Sequence, residues 1–144
     1  YRRMAEETID RAIKAGILKK TKCVTSKIKL TTINPNNSKE RLHIYGDHSV
    51  DIEKMISENP ELGTPFDPRL PYTKAEIIWI CRNEMPFRLE DILARRTRSL
   101  FLNARASAEI APEVAELMAK EFGYDENWQR EQIESYNELV KNYI

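Results

Sequence analysis

The chain has 144 residues, 41% hydrophobic and 32% charged, so it can bury one real core and stands well away from disorder. Its 23 basic and 23 acidic side chains cancel, which removes any general electrostatic reason to bind nucleic acid or an anionic membrane. Two cysteines, Cys23 and Cys81, are too few and too far apart for a CxxC metal or redox site and fit a reducing, cytoplasmic setting.

No apolar run approaches the ~20 residues that a bilayer span needs, and no signal peptide opens the chain. The sequence starts YRRMAEETID, already in helical register and without an initiator Met, and reads as a piece of a longer protein. Met4, Ile9, Ala12 and Ile13 fall on one helical face and Gly16 stands at C′, so a first helix is expected over about residues 2–15. CVTSKIKLTTI follows, with Val24, Ile28, Leu30 and Ile33 set among Lys and Thr, and suggests an extended segment. NPNNS at 34–38 is the strongest break in the chain and the candidate linker.

KERLHIYG reads as a short helix closed by Gly46. Asp47 or Ser49 can then cap a helix carrying Val50, Ile52, Met55 and Ile56, which must stop before Pro60. PELGTPFDPRLPY holds four prolines and is an ordered loop or none. Thr73 and Glu76 form a capping-box pair that opens KAEIIWICRNE. Residues 77–80 are apolar on every side, which implies burial all round, and Cys81 beside them is a buried thiol. Leu89, Ile92, Leu93, Leu100, Phe101 and Ala104 read as one long amphipathic helix. Pro112 suits position N1 of the next helix, which runs through Val114, Ala115, Leu117, Met118 and Phe122 to Gly123. Asp125 caps a last helix with Trp128, Ile133, Tyr136, Leu139, Val140 and Tyr143 on one stripe. The expected fold is mainly α: a bundle of about five or six helices with a short extended segment near the N-terminus.

The inventory for catalysis is thin. His43 and His48 are the only histidines, and Gly-Asp-His-Ser at 46–49 is a turn sequence. Gly16, Gly46, Gly63 and Gly123 lie too far apart to cradle a phosphate. Ser99 and Ser107 have no histidine near them in sequence, and Glu90 and Asp91 are explained as first-turn helix residues. The aromatic stripe Trp128, Tyr136, Tyr143 is core rather than a base-stacking platform, since its helix is acidic. No catalytic, cofactor-binding or metal-binding residue is nominated.

One stretch stands apart. EDILARRTRSLFLNARA, residues 90–106, places Arg95, Arg96, Arg98 and Arg105 among apolar residues. On a continuous helix Arg95, Arg98 and Arg105 share a face, while Arg96 falls inside the apolar stripe between Ile92 and Leu100. A charge there needs a carboxylate to offset its desolvation. Glu84, Glu90, Asp91 and Asp67 are the candidates. Glu84 comes first, because it closes the preceding helix and the MPFR connection should bring the two helices side by side. Asp91 and Arg95 form a favourable i,i+4 pair by themselves. Three readings compete for the arginines: a nucleic-acid surface, an anion-binding site, and structural ion pairs.

Several elements together carry a resemblance. They are Tyr45–Gly46, Leu-Pro-Tyr-x-x-Ala-Glu at 70–76, Glu84–Met85, Asp-x-Leu-Ala-Arg-Arg-Thr-Arg at 91–98, and Ala-Pro-Glu-Val-Ala-x-Leu-Met-Ala at 111–119. With these the chain resembles the C-terminal part of FAD-dependent glycerol-3-phosphate dehydrogenases. The resemblance implies that residues 1–33 are the tail of a preceding flavin domain, with Tyr1–Arg2 opening its last helix. Residues 34–144 would be the all-helical C-terminal cap domain. The parent would oxidise glycerol 3-phosphate to dihydroxyacetone phosphate, with FAD as cofactor and quinone as acceptor, or oxygen in a related subtype. It would sit peripherally on the cytoplasmic face of a membrane. The present chain, without the GxGxxG loop, would hold no flavin and no catalytic centre. Its expected partners are the missing flavin domain and, through the uncovered face of the first helix, a second copy; nucleic acid is not expected. The resemblance makes Arg96 an internal ion-pair residue and puts Arg95, Arg98 and Arg105 at the surface or against the flavin domain. The alternative is a module that binds an anion or phospholipid headgroup through the arginines of 95–105.

Overall fold

The computed structural model describes residues 1–28 and 41–144 and divides the chain into two compact units, Tyr1–Ile33 and Asn34–Ile144. The NPNNS linker, Leu30, Ile33 and the first two residues of KERLHIYG lie outside the described residues.

In the first unit α1 spans Arg2–Lys14. Gly16 adopts φ +76°, and the helix closes as a Schellman turn: Ile17 N–H donates to Ala12 O and Gly16 N–H to Ile13 O, both at 3.0 Å. Pairs Arg2–Glu6 and Arg3–Glu7 line its solvent side at i,i+4 spacing. None of its residues is buried, and Met4 and Ile9 stand exposed. The extended segment expected from residue 23 is corrected over its described part, where Thr25–Lys27 is one turn of 3₁₀ helix. β-branched residues favour a strand only when a neighbouring strand pairs with them, and none does so among the described residues.

The second unit is helical. It begins with a 3₁₀ stretch, Leu42–His48, followed by α2 (Ser49–Glu58), α3 (Lys74–Asn83), a π-helical turn (Asp91–Arg96), α4 (Ser99–Leu102), α5 (Ala104–Phe122) and α6 (Glu126–Val140). α3 is the buried centre, with Ile77, Ile78, Trp79, Ile80 and Cys81 all enclosed. It packs beside α5, which presents Ile110, Ala111, Val114, Ala115 and Met118 to the core. Three ion pairs step along the two segments in the same direction: Arg69–Glu109, Lys74–Glu113 at 2.5 Å and Arg82–Glu121 at 2.6 Å. Their near-constant sequence offset shows that α3 and α5 run parallel. The helix pair therefore needs the excursion of residues 84–103 between them. α6 returns along α5, and its Tyr136 hydroxyl meets Ser107 Oγ at 2.6 Å inside the core.

Three local expectations are corrected. The helix expected over 89–104 is three pieces: the π-helical turn, a left-handed residue at Arg98 (φ +58°) and the short α4. Thr97 causes the break, because its N–H reaches five residues back to Ile92 O at 2.9 Å and its hydroxyl donates to the same carbonyl at 2.8 Å. Pro112 is not at N1 but inside α5. Asn103 starts that helix earlier by accepting the Ala106 N–H at 3.0 Å. The missing proline N–H is tolerated because Pro112 faces solvent while Ala111, Val114 and Ala115 hold the helix to the core. Gly46, at φ +57° and ψ −129°, is a non-helical kink inside the 42–48 stretch and ends its first 3₁₀ piece, as expected. The residue before α2 is His48 rather than Asp47 or Ser49, and Ser49 is instead a buried first helical residue.

Candidate functional site

Glu76 is the most demanding residue of the fold. It belongs to the third position of α3 in an apolar run, and its side chain has no solvent exposure. A buried carboxylate must be fully paired to be tolerated, and four donors converge on it. Thr73 gives its N–H at 2.8 Å and its hydroxyl at 2.9 Å, both to Oε2. Arg41 Nη1 donates to the same oxygen, and Tyr45 OH donates to Oε1 at 3.1 Å. The Tyr45 phenol is pushed far above its ordinary range, first by burial and then by the Glu76 charge. Tyr45 also sets its ring edge-on to Trp79 at 5.3 Å, and the His48 ring lies 5.3 Å from the same indole. The cluster thus ties residues 41–48 to the start of α3.

The second cluster surrounds Arg96. Its Nε pairs with Glu84 Oε2 at 3.1 Å, Nη2 donates to the Glu84 carbonyl, and Nη1 donates to the Asp91 carbonyl at 3.2 Å. Asp91 fastens the same loop from the other side, its Oδ2 accepting the Phe87 and Arg88 N–H groups at 2.9 Å each. Burial pushes the Asp91 carboxyl up, but these two N–H donors and the charges of Arg95 and Arg96 outweigh it, so its pKa is lowered. Arg95 spans Glu90 at 2.7 Å and Asp91 at 2.8 Å.

Arg98 and Arg105 are placed differently. Both are exposed, and neither has a carboxylate within ion-pair distance among the described residues. Arg98 lies over the Phe101 ring, 5.9 Å from its centroid, and Phe101 meets Tyr143 edge-on at 5.6 Å. Because residues 96–98 leave the helix, Arg95, Arg98 and Arg105 do not share one helical face, contrary to the expectation from a continuous register.

Of the residues singled out in sequence, Arg96 and Glu84 meet each other, Arg95 meets two acids beside it, and Arg98 and Arg105 face outward. The Arg41–Glu76–Tyr45 cluster was not foreseen beyond the capping-box role of Glu76. The available signal was an acid embedded in AEIIWIC, a run whose other members are all apolar. Among the described residues no group of His, Cys, Asp and Glu could hold a metal ion, and no helix is long and apolar enough to cross a membrane. Neither cluster offers an unpaired acid or base to a substrate, because the charges of Glu76, Glu84, Asp91, Arg95 and Arg96 are spent on one another and on the backbone.

Residues 6–129 match the family described as the C-terminal domain of alpha-glycerophosphate oxidase. The "Probable glycerol-3-phosphate dehydrogenase, mitochondrial" of Caenorhabditis elegans is 31% identical over 97% of this chain and 22% of its own length. The mitochondrial glycerol-3-phosphate dehydrogenase of Macaca fascicularis is 32% identical, again over 97% of this chain and 22% of its own. That of Arabidopsis thaliana is 28% identical over 99% and 28%. The chain therefore spans only about a quarter of the length of the relatives it matches. No solved structure matches.

Proposed function

The chain belongs to the family of the C-terminal domain of alpha-glycerophosphate oxidase, and from that premise we propose that it is the C-terminal part of an FAD-dependent glycerol-3-phosphate dehydrogenase. In this reading the longer enzyme oxidises glycerol 3-phosphate to dihydroxyacetone phosphate and passes electrons to quinone. FAD, the substrate and the membrane-peripheral location belong to the rest of that enzyme. Residues 1–33 are the tail of its flavin domain, and residues 34–144 are a structural cap.

The observation that carries the reading is the match to a C-terminal domain over 6–129, alongside relatives named as the dehydrogenase of which the chain spans about a quarter. The residues present support a cap without a flavin site. The four glycines stand at 16, 46, 63 and 123, so no glycine-rich turn is available to admit a dinucleotide pyrophosphate. The buried charges serve internal bonding.

A flavin spectrum and glycerol 3-phosphate oxidation by the full-length protein test the reading. The 144-residue chain incubated with FAD should show neither. Flavin absorbance retained by this chain after gel filtration would contradict the cap role, and a full-length protein without flavin would contradict the assignment. The second reading, a headgroup- or anion-binding module, is favoured only by Arg98 and Arg105, since Arg95 and Arg96 are already paired.

A further inference from the structure

The arginine-rich segment divides into two halves with opposite behaviour. Arg95 and Arg96 point their charge into carboxylates and carbonyls of their own domain. Arg98 and Arg105 do not, and large apolar side chains stand between them: Phe101 is 55% and Leu102 60% exposed. Phe101 is held against Tyr143 and beneath Arg98, so the patch is ordered although water covers it. Its order has a backbone cost, because Arg98 sits at φ +58°, a conformation that a non-glycine residue holds only when its surroundings impose it. Arg, Tyr and Phe grouped around a small apolar centre is the composition of a binding hot spot.

We propose that Arg98, Phe101, Leu102, Arg105 and Tyr143 form the surface on which the rest of the enzyme docks, through carboxylates rimming an apolar depression on the partner side. This rests on the reading of the chain as a domain of a longer enzyme. Charge complementarity selects an acidic protein surface: two unpaired guanidinium groups flank apolar side chains that a soluble anion would leave wet. A lipid surface is disfavoured by the paucity of cations, since the neighbouring arginines are neutralised within the domain.

The test uses Cys23→Ser with Phe101→Cys, made both in the 144-residue chain and in the full-length protein. Alkylation of the introduced thiol is followed peptide by peptide by mass spectrometry. In the full-length protein it should be at least about tenfold slower than in the 144-residue chain. Arg98→Glu with Arg105→Glu, added to the full-length protein, should restore the fast rate while the far-ultraviolet circular dichroism stays unchanged. Equal rates in both proteins, with flavin bound to the full-length one, would overturn the docking surface and leave the enzyme assignment standing. A full-length protein without flavin removes both. Protection of the 144-residue chain alone by inorganic phosphate, by vesicles of phosphatidylcholine and phosphatidylglycerol, or by raising its own concentration would reassign the patch to an anion, a membrane or a second copy, and would overturn the proposal.

Discussion

Arg96 reaches back twelve residues to Glu84 and holds it twice, by the carboxylate at 3.1 Å and by the main-chain carbonyl. With its third bond, to Asp91 O, one side chain fastens both ends of the loop that joins α3 to the π-helical turn. That loop carries Met85 at φ +48°, and it presents Met85 and Phe87 to water while Leu89 is fully buried. Its order comes from polar clamps at its ends more than from burial at its tip.

Removing the clamp has a graded consequence. Arg96→Ala leaves two carbonyls and a half-exposed carboxylate without their donor, and should cost about 2–3 kcal/mol. Arg98→Gly should be neutral or stabilising by up to about 1 kcal/mol, because glycine adopts the left-handed conformation freely. Urea unfolding of the two variants against the parent checks both. Equal destabilisation would mean that the clamp contributes nothing particular.

The Glu76 cluster predicts an asymmetry. Arg41→Met strands a buried carboxylate with neutral donors only, and should cost about 3–5 kcal/mol. Glu76→Gln leaves Arg41, itself 36% exposed, able to turn to water, and should cost about 2–4 kcal/mol. The double variant should be less damaging than the sum of the two, which a double-mutant cycle in urea measures directly. Strict additivity would show that the two side chains act independently.

Acid should weaken the fold through Asp67 and Asp91. The Arg69 side chain, with help from its N–H, holds the Asp67 carboxyl down at about 2. Asp91 is also lowered, its N–H donors and Arg95 outweighing burial. A carboxylate with a depressed folded pKa contributes stability that is complete above its unfolded value and is lost as pH falls through the folded one. The urea midpoint should therefore hold between roughly pH 7 and pH 5, then fall from roughly pH 4 towards pH 2. Asp91→Asn should flatten part of that acid limb.

The two thiols should separate cleanly. Cys81 is enclosed in α3, and burial, with the Glu121 charge second, pushes its thiol up to about 12; Cys23 is exposed. At pH 8 a thiol reagent should modify Cys23 alone in the folded chain, and both cysteines after denaturant is added. Rapid modification of Cys81 without denaturant would show that α3 opens locally.

What the amino-acid order determined by itself is what short-range rules control. Gly16 and Gly123 end their helices in the left-handed region, Asp125 caps α6 by accepting the Trp128 N–H at 2.8 Å, and α2 stops before Pro60. The apolar run 77–80 is buried because no face of it can profit from water. Each of these follows from groups within about four residues of one another, so sequence spacing is spatial spacing. The tertiary structure decided the rest. Periodicity over 89–104 concealed the break at Thr97–Arg98, because the hydroxyl that takes Ile92 O competes with the helix without altering the apolar pattern. Asn103 and the core contacts of α5 overrode the signal of Pro112. Four acids were eligible partners for Arg96, and Arg41 joins Glu76 across thirty-five residues. Such pairings are chosen by which side chains the packed helices bring within about 3 Å in a place too dry to leave a charge alone, and no local rule in the sequence reaches that far.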